Sequence, residues 1–145
     1  MSVVDLQAIV DELLAATRAS RCTLRLDVPD GFFPVAYEAL GPGAPSIRDE
    51  RTTDLRAAPV VRELLETGRQ VVQDDCASAL DDPAFQRMLG AYGGLAAQIV
   101  TPVFLDGRLA AIVSLHQLGE PRRWSEEERA RAAGAGERVA TLLRA

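Results

Sequence analysis

His116 is the only histidine among 145 residues, and it stands near the end of an apolar run, AAIVSLHQ. An imidazole can accept a proton, donate a hydrogen bond or ligate a metal. Strand alternation puts His116 on one face with Ile112 and Ser114, and Val113 and Leu115 on the other. The competing reading is a strand-end histidine that hydrogen-bonds locally. Two cysteines are the other reactive groups. Cys22 shares the apolar face of a strand, whereas Cys76 lies in DDC, near Asp74, Asp75, Asp81 and Asp82. Those carboxylates would raise its pKa and disfavour the thiolate. Neither cysteine belongs to a CxxC or Cys/His pattern that holds a metal. Both read as inert free thiols of a reducing cytoplasm.

The four aspartates form an acidic cluster that could hold a cation or a basic ligand. Capping of the helix that opens at Pro83 explains them as well. Tyr37, Phe85, Met88 and Tyr92 are candidates for the wall of an apolar pocket, with ordinary core as their alternative. Arg25, on the polar face of the first strand, could meet an anionic ligand, but a surface salt bridge is expected. No Ser/His/Asp set surrounds a nucleophile. The GPG at 41–43 lacks the lysine and helix that complete a phosphate loop.

Bulk composition removes further classes. The net charge is −5, and all 16 basic residues are arginines scattered among acids, which argues against a nucleic-acid surface. No apolar run is long enough to span a membrane. The acid-bearing start, MSVVDLQAIVDELLAATR, reads as an amphipathic helix rather than a signal peptide. A soluble, cytoplasmic protein is expected, of one domain spanning 1–145.

These residues need a frame. Leu6, Ile9, Val10, Leu13, Leu14 and Thr17 recur at helical spacing and predict a helix over 3–18. RCTLRLDV alternates and predicts a half-buried strand over 21–28, turning at Pro29, Asp30 and Gly31 toward a second strand through Phe33–Leu40. Residues 41–57 read as a long loop. Pro59 opens a helix with Val60, Leu64 and Leu65 inward, closed by Gly68. A short strand over 70–73, a polar connection over 74–82 and a helix from Pro83 follow. Two apolar strands then flank Asp106–Gly107, a strong hairpin signal. Ser125 and Glu128 form a capping box for the last helix, in which Gly134 and Gly136 would let another backbone approach. The fold class is α+β: a central antiparallel sheet of about five or six strands, the terminal helices on one face, and the short helices with the loop on the other.

The run TPVFLDGRLAAIVSLHQ followed by PRRWSEEERARAAG, with SRCTLRLD as an opening strand, resembles the GAF family. The resemblance implies a small-molecule pocket between the sheet and residues 41–57 and 74–94, and a homodimer through the terminal helices. It implies a sensory module that signals to a partner protein rather than an enzyme. LHQ resembles the pocket strand of bilin-binding members. Their thioether cysteine belongs in the helix before the hairpin, and DDPAFQRMLGAY has none. Cyclic-nucleotide-binding members carry Asn and Lys, and this chain has neither. Haem would rest on His116 alone. Covalent bilin, cyclic nucleotide and haem are therefore all disfavoured, and the ligand is left open. The other readings are a dimerising scaffold with a vestigial pocket and a free methionine sulfoxide reductase, which needs several reactive thiols.

Overall fold

The computed structural model describes residues 3–29, 31–50 and 54–145. Asp30 of the expected turn and residues 51–53 of the expected loop lie outside the described residues. The chain runs α1 (Val3–Thr17), β1 (Arg21–Leu26), β2 (Val35–Leu40), α2 (Pro59–Thr67), β3 (Val71–Gln73), α3 (Cys76–Ala79), α4 (Pro83–Ala91), β4 (Leu95–Leu105), β5 (Arg108–Leu118) and α5 (Glu126–Arg144). The five strands form one antiparallel sheet in the order β2-β1-β5-β4-β3.

Local chemistry sets most boundaries. Asp106 and Gly107 both take positive φ, 53° and 78°, as a type I′ turn requires, so the β4–β5 hairpin closes tightly. Ser125 Oγ accepts from Glu128 N while Glu128 Oε1 accepts from Ser125 N, completing the capping box of α5. Pro59 supplies a preset φ at the start of α2, and Gly68 ends it in the left-handed region, its N–H reaching Leu64 O. Asp82 Oδ1 accepts from Phe85 N at 3.0 Å and caps α4.

The sheet separates two apolar layers. On one side Leu6, Ile9, Val10 and Leu13 of α1, with Ala132, Ala135 and Val139 of α5, pack on Cys22, Leu24, Ile99, Val113 and Leu115. On the other, Val60, Val61 and Leu64 of α2, with Phe85 and Leu89 of α4, pack on Val71, Val100 and Ile112. Gly136 brings the α5 backbone close to β4, since a Cβ there would stand 3.0 Å from Thr101 Cγ2. Gly134 has nothing within 4 Å and serves no such approach.

Three expectations change. Leu65 is 53% exposed, and Val61 takes its inward place. The connection over 74–82 contains α3, whose first residue, Cys76, is fully buried rather than a loop thiol. The polar face of β1 does not meet solvent: Arg21 and Thr23 are both 0% exposed. β1 lies between β2 and β5 in a sheet covered on both faces, so these two side chains are shut off from water, while Arg25 further along stays half-buried.

Candidate functional site

On that side of the sheet, Arg25 of β1 with Gln98 and Val100 of β4 and Ile112, Ser114 and His116 of β5 floors a cavity of about 320 Å³ under α2, α4 and residues 54–58. Cross-strand pairing arranges the floor in rows. Gln73, Gln98, His116 and Arg21 form one, while Val71, Val100, Ser114 and Thr23 form the next. Arg25 and Ile112 begin a third. Partners across an antiparallel ladder point to the same face, and of these rows Gln98, His116, Val100, Ser114, Arg25 and Ile112 reach the cavity. Phe85, Met88, Val60 and Val61 supply the apolar wall, and Asp54 and Arg87 stand exposed among the lining residues.

Arg21 organises the polar end. Its Nε donates to His116 Nδ1 at 3.0 Å, Nη1 to Pro45 O at 2.9 Å and Nη2 to Tyr92 O at 2.8 Å. No carboxylate lies within ion-pair distance of it among the described residues. Burial lowers its pKa to about 10, opposed by the nearby charge of Glu38, and it stays protonated at neutral pH. Arg25 is only half-buried and donates from Nη1 to Phe33 O and from Nη2 to Tyr92 Oη. It too lacks an ion-pair partner among the described residues, which corrects the expected surface salt bridge.

His116 is 3% exposed. Burial, reinforced by Arg21 and Arg25, holds its pKa well below the usual histidine value, so it is neutral. Because Nδ1 accepts from Arg21, the ring proton belongs on Nε2. Nε2 has no hydrogen-bond partner among the described residues and is not sealed from solvent. It therefore opens to the cavity. One nitrogen of His116 bonds locally and the other faces the cavity. The Tyr92 ring lies 5.8 Å from the imidazole.

Of the residues selected from sequence, His116, Ser114, Ile112, Tyr92, Phe85 and Met88 line the cavity. Three do not. Tyr37 pairs with Leu24 across β1 and so faces the layer under the terminal helices. Asp74 is exposed at the end of β3, where its Oδ1 accepts from Trp124 N at 3.2 Å and its carbonyl from Arg122 N. Cys76 is tucked beside Gln73, its Sγ 3.5 Å from Oε1, outside the cavity wall. Burial, with Asp75 adding to it, pushes its thiol up to about 12; burial and Asp11 do the same for Cys22. Among the described residues, no three His, Cys, Asp or Glu side chains are grouped to hold a metal. Sequence reading missed Arg21, Gln98 and Val100. The available signal was that 21, 23 and 25 share strand parity beside a hairpin apolar on both faces.

The GAF domain family model matches residues 5–143. The chain belongs to the GAF domain family. No curated relative matches it. This GAF domain is similar to the solved cyanobacteriochrome TePixJ GAF domain, at 21% identity and TM-score 0.82, over 96% of this chain and 86% of that one. It is also similar to the phycoerythrobilin-bound GAF domain from a cyanobacterial phytochrome, at 21% identity and TM-score 0.79, over 95% and 82% of the two chains. A third likeness is the chromophore-binding domain of a bacteriophytochrome from R. palustris, at 18% identity and TM-score 0.78. That one covers 97% of this chain and 54% of the other. At such identities the likeness establishes the fold.

Proposed function

We propose that this GAF domain is a non-catalytic sensory module: it binds a small molecule in the cavity above β1, β5 and β4 and passes that occupancy to a partner protein. One observation carries the reading. The cavity of about 320 Å³ combines an apolar wall with converging polar groups, the pattern of a ligand site. An open cavity also favours this reading over a scaffold with a plugged pocket.

The residues do not fit a thioether-linked bilin, since neither cysteine lines the cavity. They do not favour the reductase either. Cys22 belongs to the layer under the terminal helices and Cys76 to the opposite layer, so the sheet stands between the two thiols. Free, buried thiols suit a reducing cytoplasm. Among the described residues, no helix is long and apolar enough to cross a membrane.

Ligand-observed NMR with a library of one- and two-ring fragments tests the site. Ser114→Phe places a ring in the middle of the floor. We expect wild type to bind several fragments and the variant, checked for folding by its melting curve, to lose them by about tenfold or more. A folded Ser114→Phe protein that binds the same fragments would place the site elsewhere.

Association through the terminal helices belongs to the same proposal. α1 and α5 pack side by side, and Arg138 Nη1 meets Glu12 Oε2 at 2.7 Å. The apolar stripe of α1 is consumed inside the chain, so a homodimer must use outward residues such as Ala15 and Ala16. Size exclusion with light scattering should return twice the chain mass; a monomer at high concentration rejects the dimer.

A further inference from the structure

We propose that the ligand of this cavity is a compact carboxylic acid with an apolar ring or chain, its carboxylate held by Arg25 and Tyr92. This rests on the reading of the cavity as a ligand site and adds the sign and chemistry of what fills it.

The argument is an inventory of hydrogen-bonding groups. A guanidinium has five N–H donors. Arg25 directs two groups at Phe33 O and Tyr92 Oη, which leaves others unengaged. Tyr92 Oη accepts from Arg25, and its own proton has no acceptor among the described residues. Ser114 Oγ and His116 Nε2 likewise have no partner among the described residues, and both residues line the cavity. On the acceptor side, Gln98 uses its Nε2 on Gln73 Oε1 at 2.8 Å, leaving its own Oε1. Among the described residues, Asp54 is the only carboxylate on the lining, and it is exposed. Donors therefore outnumber acceptors, and a ligand poor in acceptors would strand them away from water.

Charge points the same way. The chain carries −5 overall, yet Arg25 and Arg87 line the cavity against Asp54, and Arg21 lies buried behind them. Glu38, the carboxylate whose charge reaches Arg21, is engaged by Ser46 Oγ and Ile47 N. A cationic ligand would meet like charge. A carboxylate would give Arg25 the partner it lacks, in a setting where charge-assisted hydrogen bonds are about twice as strong as neutral ones. The rest of the space is apolar, with Val100, Ile112, Phe85 and Met88 offering contact to a hydrocarbon body.

A charge series on one skeleton tests this: phenylacetate, phenylacetamide and phenethylamine, with their naphthyl counterparts, titrated by calorimetry at neutral pH. The acids should bind at least about tenfold more tightly than the amides, and the amines least. In Arg25→Gln the acid-to-amide ratio should fall to about one, a change that general loosening of the fold would not produce. Amides equal to acids in wild type, with both lost in Ser114→Phe, would overturn the anion and keep the cavity as the site. Binding unaffected by Ser114→Phe, or absent throughout the series and the fragment library, would overturn the site and this inference with it.

Discussion

Replacing Arg21 by alanine is expected to destabilise the domain by at least about 3 kcal/mol. The side chain is 0% exposed and donates to three separate acceptors. Its removal strands the carbonyl of Tyr92 and the Nδ1 of His116, at roughly 1–3 kcal/mol for each buried acceptor left without a donor, and frees the part-buried carbonyl of Pro45 at a smaller cost. Part of this is returned, because a buried cation without a carboxylate is itself costly to desolvate. The vacated volume adds a cavity term. The three acceptors belong to the loop before Ile47, the end of α4 and β5, so the loss should also uncouple the cavity roof from its floor. Urea unfolding, with an unchanged slope, measures it. A shift below about 1 kcal/mol would mean the three bonds contribute little. Arg21→Met, which restores volume but no donor, separates packing from hydrogen bonding.

The second large effect is a pH dependence from a single residue. His116 is held neutral in the folded state, its pKa well below the unperturbed 6.5. Below that pH the unfolded chain binds a proton that the folded one refuses, so acid favours unfolding. Its stabilising contribution is intact above about pH 6.5 and drains away as pH falls toward the lower folded pKa, at up to about 1.4 kcal/mol per pH unit. Because the chain has no other histidine, the interval between about pH 5.5 and 6.5 isolates this group from the carboxylates. His116→Gln offers an amide oxygen to Arg21 Nε and should flatten the slope in that interval. An equal slope in both proteins would reject the assignment. His116→Ala should be less stable than His116→Gln, since it leaves Arg21 Nε without an acceptor; the histidine is a structural part as well as a lining residue.

How far the sequence could be read depended on the range of each signal. The Asp106–Gly107 turn, the Ser125–Glu128 box and the Pro59 and Pro83 helix starts are decided within a few residues. The face a polar strand residue meets is not. Arg21, Thr23 and Arg25 alternate with apolar neighbours as solvent-facing residues would, yet Arg21 is buried against Pro45 O and Tyr92 O, Thr23 is buried, and Arg25 lines the cavity beneath α2, α4 and residues 54–58. Tyr37 went astray for a related reason: its facing is fixed by pairing with Leu24, a register that composition does not encode. Asp74 and Cys76 are near the cavity-lining residues along the chain but do not line the cavity, and each finds a partner locally, Trp124 and Gln73.

The two layers share one ribbon of backbone. Along β1, positions 21, 23 and 25 serve one compartment while 22 and 24 serve the other; along β5, positions 112, 114 and 116 alternate in the same way with 111, 113 and 115. The two sets of letters are interleaved, yet each is read in a different room. Descendants of this chain can rewrite one set to follow a new chemical environment while leaving the other untouched. The residues facing the cavity are free to change faster than those packed under the terminal helices.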